Sequence, residues 1–237
     1  METKFRELQD EMMSIKHDLD GVYSQYVHPG FGNVSTPNVV VFEEAPSLGH
    51  FRNRSEEVGS MNIQEYVDYF EGEYQNQLLN WPPYEDFLGP VFAEFGVSRN
   101  SLLDETYMTS MVKNPVESKN KSSNLRNAYR EIWKPYVKRE IEYLDPDIVI
   151  TAGRPASQWI STLLGVSSGD ARSISISNEQ WWGPSPFDTS TSLIYTPHWG
   201  ARAYDSNINE NWEDVLDEIV DGLRDSGYSA GVPTQND

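Results

Sequence analysis

Asn38-Val39-Val40-Val41-Phe42-Glu43-Glu44-Ala45-Pro46-Ser47 decides the fold. Four apolar residues in a row, three of them β-branched, predict a short buried strand. Two acidic residues and a proline turn then end it. Similar runs stand at residues 106–112, Thr-Tyr-Met-Thr-Ser-Met-Val, and 147–153, Asp-Ile-Val-Ile-Thr-Ala-Gly. A shorter one, Leu193-Ile194-Tyr195-Thr196, leads into Pro197-His198-Trp199-Gly200. Residues 173–177 read as a weak strand. Helical patterns separate these runs. Phe5, Leu8, Met12, Ile15 and Leu19 form one apolar stripe at steps of three and four. Residues 66–79, 87–95, 125–144, 156–164 and 212–223 read as further helices, and residues 28–33 as a loop rich in glycine and proline. Strands alternating with helices give an α/β protein: a three-layer α-β-α sandwich around a central, mainly parallel sheet.

The chain has 237 residues, enough for one large domain. No repeat or linker divides it. A single domain over residues 1–225 is expected, with an enlarged helical segment at about 48–87. The polar stretch 226–237 reads as a disordered tail. The hydrophobic fraction, 38%, is low, but aromatics at 12% exclude global disorder. With no cysteine, disulfides, thiolate zinc sites, cysteine nucleophiles and cysteine-bound iron–sulfur clusters are excluded. No cofactor or metal is expected. No apolar run approaches the ~18 residues of a membrane span. The first residues lack a signal peptide's apolar stretch. A cytoplasmic monomer is the expectation.

Eighteen Lys and Arg oppose 37 Asp and Glu, a net charge of −19. Such acidity suits a halophile's protein, whose carboxylates hold water and ions at high salt. The charge is uneven. Residues 113–139 carry Lys113, Lys119, Lys121, Arg126, Arg130, Lys134, Lys138 and Arg139 against Glu117 and Glu131, a local +6. A helix face explains part of this. The polar loop 114–124, opening at a strand exit, suits contacts to phosphate of DNA or a nucleotide better.

In open α/β sheets, ligands sit at the carboxyl ends of the strands. Three such ends here carry reactive side chains: Glu43 and Glu44, Ser110 with Lys113, and His198. Singly, a carboxylate after a strand reads as a helix N-cap or a solvated turn, and a loop histidine as a hydrogen-bonded surface group. Their shared position is the better evidence.

Four motifs, in order and spacing, resemble the uracil-DNA glycosylase superfamily, especially the bacterial and archaeal families related to its iron–sulfur members. Gly30-Phe31-Gly32-Asn33 followed by Glu43-Glu44-Ala45-Pro46-Ser47 is similar to the family's G-x-G-N and G-E-x-P-G. Residues 105–113 resemble its V-Y-I-T-N-V-V-K strand, after a Gly96-Val97-Ser98-Arg99 turn. Residues 146–156 are similar to P-x-V-I-V-x-L-G-x-x-A, and Thr196-Pro197-His198 to T-x-H-P. Trp212-Glu213-Asp214-Val215 looks like the family's last helix. The resemblance spans about residues 27–47 and 88–224. Glu43 and Ser47 replace the two glycines of the first motif, Ser110 stands for a base-reading Asn, and Trp199 and Gly200 replace the residues after the histidine. Asn114 stands where one cluster cysteine would be, so the resemblance implies a relative without the cluster.

What the resemblance implies is hydrolysis of the N-glycosidic bond of uracil, or a related deaminated base, in DNA, single-stranded or uracil-containing. Glu44 is then the carboxylate that steadies the sugar cation or orients water, with Glu43 as the alternative if the turn is shifted by one. His198 stabilises the departing base. Backbone N–H near Ala45, the Phe51 ring and the Ser110 hydroxyl would hold the base. Lys113, Lys119, Lys121 and Arg126 would line the DNA path. Serine makes fewer directional bonds to a base than asparagine, so relaxed specificity follows. The second reading is a weak or inactive member that binds DNA or a nucleotide. A third is an acidic α/β protein with an unrelated small-molecule role. Trp181, Trp182 and Trp199 are candidates for stacking, with core packing as their alternative.

Overall fold

The computed structural model describes residues 2–15, 27–35, 37–46, 61–73, 79–115, 123–163, 192–203 and 205–230. Five strands form the sheet: β1 (Phe31–Gly32), β2 (Val39–Glu43), β3 (Thr106–Ser110), β4 (Ile148–Ala152) and β5 (Ser192–Thr196). Their order is β1-β3-β2-β4-β5. β3, β2, β4 and β5 run parallel, and β1 pairs antiparallel with β3 at the edge. The protein is therefore mixed α/β with a mostly parallel central sheet. The expected strand at residues 173–177 lies outside the described residues.

The run of apolar residues in β2 follows from burial on both faces. Val39 and Val41 pack with Met108, Ile148, Ile150 and Ile194 in one cluster. Val40 and Phe42 pack with Tyr107, Val149, Leu193 and Tyr195 in another. Side chains alternate across a strand, so the odd positions of β2 face one cluster and the even positions the other. Each core side chain taken from water contributes about 1.5–3 kcal/mol.

α1 (Glu2–Ser14) covers the even face with Phe5, Leu8 and Met12. On the odd face, α2 (Ile63–Val67) runs into a π-helical turn, Asp68–Glu73, and a second π turn, Pro83–Leu88, runs into α3 (Gly89–Ala93). α4 (Leu102–Glu105) precedes β3. α5 (Ser123–Leu144) carries Tyr129, Trp133 and Val137 onto the even face, and α6 (Arg154–Leu163) adds Ala156, Trp159 and Ile160. After the short α7 (Ser206–Glu210), α8 (Trp212–Asp225) brings Trp212, Leu216, Ile219, Val220 and Leu223 to the odd face.

Three details differ from the sequence reading. Phe31–Gly32 is a strand, not loop, because Gly32 at φ +107 lets the chain lie against the Thr106 carbonyl, which a Cβ would meet at 2.2 Å. The β3 strand stops at Ser110, although Met111 and Val112 still donate to the Glu43 and Glu44 carbonyls at 2.8 and 3.0 Å. Past α8 the chain stays attached: Tyr228 is buried against Phe92 and Phe95 and donates to Glu105 at 3.1 Å. The tail is thus held at least to Tyr228; residues 231–237 lie outside the described residues. Among the described residues no helix is long and apolar enough to cross a membrane.

Candidate active site

Because β2 lies between β3 and β4, the chain leaves β2 to one side and later returns to the other. Such a switch of direction opens a crevice at the strands' carboxyl ends. Glu43 ends β2, directly beside Ser110 at the end of β3. The Ser110 hydroxyl donates to Glu43 Oε1 at 3.0 Å. His198, in the loop after β5, places Nε2 3.8 Å from Glu43 Oε2. The Glu43 side chain is 16% exposed and that of His198 35%, so the pair is sheltered yet reachable.

The histidine is fixed by its backbone surroundings. The Gly200 N–H donates to His198 Nδ1 at 3.0 Å. An accepting Nδ1 carries no proton, so the neutral ring bears its hydrogen on Nε2, the nitrogen that faces Glu43. Gly153, at the end of β4, has φ +85, and a Cβ there would stand 3.2 Å from His198 Cβ. Its N–H donates to the Thr196 carbonyl at 2.8 Å, which locks the two loops together. The next residue, Trp199, lies 4.4 Å from the imidazole by ring centroids and is itself buried against Phe87 at 5.5 Å. Trp199 is therefore a core side chain that backs the histidine. Trp181 and Trp182 lie outside the described residues.

At 3.8 Å the His198–Glu43 contact is electrostatic rather than a hydrogen bond. The Nε2–H thus keeps its capacity to donate to another acceptor. Glu43 accepts from Ser110 through one oxygen, and among the described residues the other accepts no hydrogen bond. One acceptor and one donor, held by three strand ends, suit a reaction in which positive charge grows on one side of a bond and negative charge on the other.

Of the two adjacent carboxylates, the structure joins Glu43, not Glu44, to Ser110 and His198. Strand parity is the reason: Glu43 continues Val39 and Val41 onto the face that holds Trp199. Glu44 follows in the turn, half-buried, its carbonyl accepting from Val112. The Ala45 side chain packs against the opposite core.

Lys113 corrects the expected DNA-facing set. It is wholly buried, and its ammonium donates to Glu140 and to the Thr109 hydroxyl. An inward ammonium held by its own counterion offers nothing to a phosphate. Burial pushes Lys113 below the ordinary lysine range and Glu140 above the ordinary carboxylate range, while their mutual attraction opposes both shifts. Asn114 is also buried and accepts from the Trp133 indole at 3.0 Å. Phe51, Lys119 and Lys121 lie outside the described residues. Arg126 sits in the first turns of α5, and its side chain lies outside them as well. Among the described residues no cluster of three His, Asp or Glu side chains is placed to hold a metal ion. Compared with known proteins, the chain matches no family model and no curated protein.

Proposed function

We propose that the protein is a DNA glycosylase that hydrolyses the N-glycosidic bond of uracil or a related deaminated base, using Glu43 and His198. The observation that carries this reading is the Ser110–Glu43–His198 cluster at the sheet's switch point, with the imidazole N–H turned toward the carboxylate. Breaking the bond leaves a cationic sugar and an anionic base. Glu43 steadies the cation or orients the attacking water. The His198 Nε2–H donates to the base oxygen as charge collects there. The base first leaves the stack, at a cost of a few kcal/mol. The two core clusters on opposite sheet faces support a three-layer α-β-α sandwich as the frame. DNA would approach along the basic loop around Lys119 and Lys121 and the start of α5 at Arg126. We place the working protein in a high-salt cytoplasm, as a monomer, on its net charge of −19.

A strand-cleavage gel assay on uracil-containing oligonucleotides, at low and molar KCl, tests this. Alkali-labile product formed by the wild type and lost in Glu43→Gln supports the reading; no product at any salt concentration rejects it. One observation favours a second reading. The Ser110 hydroxyl is engaged with Glu43, which leaves it less able to read a base edge. A protein that binds DNA or a nucleotide without cleaving it fits that arrangement. Fluorescence anisotropy on undamaged DNA, with no cleavage of uracil DNA, would mark it out.

A further inference from the structure

The turn that follows His198 is pinned at both ends. It is a short 3-10 helix, Trp199–Ala203, and carries Gly200 and Arg202. Its first pin is apolar. Trp199 packs on Phe87 of the π turn Pro83–Leu88 at 5.5 Å between ring centroids. Its second pin is charged. Arg202 Nη1 lies 3.5 Å from Asp86 Oδ2, on the same π turn. The guanidinium also stands over the Trp212 ring of α8, 5.2 Å from its centroid, and Nε donates to Asn209 Oδ1 of α7 at 3.4 Å. The Trp212 indole donates to the Asp86 carbonyl at 2.9 Å, so Arg202, Asp86 and Trp212 close a triangle.

Gly200 stands between the two pins, and its N–H holds His198 Nδ1 at 3.0 Å. A Cβ on residue 200 would meet Nδ1 at 3.0 Å and Cε1 at 3.2 Å, so the backbone lies directly against the ring. A hydrogen bond weakens steeply once its angle is lost, so the bond lasts only while the turn stays in place. Trp199 is buried and fixes the start of the turn. The end of the turn lies nearer the surface, and 3-10 helices bond poorly within themselves. Arg202 holds that end. Its planar fork can stack on a ring and pair with a carboxylate at once, which the point charge of a lysine cannot do.

We propose that Arg202 is a positioning residue for His198. It clamps the turn to the π turn and to α8, keeps the Gly200 N–H on Nδ1, and so keeps the imidazole hydrogen on the nitrogen that faces Glu43. Arg202 acts through the backbone between itself and the ring and touches no reacting atom. The inference rests on the reading of His198 as the donor of this site and holds whichever bond the site cleaves.

The test reads the Gly200–His198 bond directly, by NMR on isotope-labelled protein at about pH 8, where an ordinary imidazole is neutral. An N–H···N bond transmits a scalar coupling between its two nitrogens, so the wild type should show a cross-peak joining Gly200 N to His198 Nδ1. Arg202→Met keeps the aliphatic stem and removes the guanidinium. In that variant the cross-peak should weaken or vanish, and the Gly200 amide should exchange with solvent about tenfold faster. Amides of β4 should exchange as in the wild type, which shows that the fold is kept. An unchanged cross-peak and unchanged Gly200 exchange overturn the proposal. Equal acceleration at Gly200 and in β4 also overturns it, because Arg202 would then stabilise the fold as a whole. The measurement needs no substrate, so a protein inert on uracil DNA still shows whether Arg202 holds the histidine turn.

Discussion

Glu43 and Glu44 differ by one position and by the face they serve. A strand sends alternate side chains to opposite faces, so one step of sequence moves a carboxylate from one side of the sheet to the other. Glu43→Gln keeps the shape but removes the charge, and should lower the proposed glycosylase activity about 10²–10⁴-fold. Glu44→Gln should lower it far less; equal losses in the two variants would return the role to the turn. The sequence made the pair legible but not the choice, because motif alignment counts positions while the sheet counts parity. The parity was available in Val39, Val41 and Glu43 once the strand was accepted. His198 was legible from its place after a strand; its tautomer was not, since that depends on the Gly200 N–H. Gly153 links the histidine to the backbone. Gly153→Ala would strain a φ of +85 and press a methyl group on His198 Cβ. A loss of about 1–2 kcal/mol in urea unfolding is expected from the backbone alone. Activity should fall further than that loss of folded protein explains, because the ring moves.

At the scale of elements, the end of β3 is tied to α5 by the buried Lys113–Glu140 pair. The Thr109 hydroxyl accepts from Lys113 and lies 3.3 Å from Glu140 Oε1. The Tyr107 hydroxyl donates to the Pro29 carbonyl and accepts from Gln9 of α1 at 3.2 Å, so two helices, a strand and the loop before β1 meet in one polar knot. Removing one ion leaves the other buried and unpaired. Lys113→Met should therefore cost about 3–5 kcal/mol, while Lys113→Met with Glu140→Leu should recover most of it. Thermal or denaturant melts of both variants decide this; a double variant as unstable as the single one would show that the pair stabilises the fold in its own right. The sequence marked Lys113 as a surface cation because a charge count is blind to burial. The four parallel strands were legible, since a strand buried on both faces writes its own apolar run. β1 is two residues long, too short for a period, and the π turns depend on packing against the sheet rather than on local propensity.

For the whole molecule, the governing number is the net charge of −19. Cations are few, and one of them, Lys113, is enclosed in the core. On α8, Glu213, Asp214, Asp217, Asp221 and Asp225 all stand exposed along one helix. The ion pairs that relieve such crowding lie at the surface, as in Arg224 with Asp221 at 3.0 Å and Arg139 with Glu11 at 2.7 Å. Pairs of this kind contribute only about 0–1 kcal/mol each. Repulsion among carboxylates therefore remains, and it reaches across neighbouring helices while the screening length is ~10 Å, as in 0.1 M salt. At 1 M that length falls to ~3 Å, less than the spacing between most surface charges. Added KCl should thus raise the melting temperature, with the steepest gain below molar salt, and dilute buffer should leave part of the protein unfolded. The same salt weakens attraction to phosphate, by about 10³–10⁵-fold between 50 and 200 mM for six to ten contacts. Cleavage at molar KCl would then have to rest on contacts with the flipped base, which salt screens little. Circular dichroism melts across a KCl series test the stability half of this argument. A melting temperature that stays flat or falls as KCl rises would refute the proposed high-salt setting.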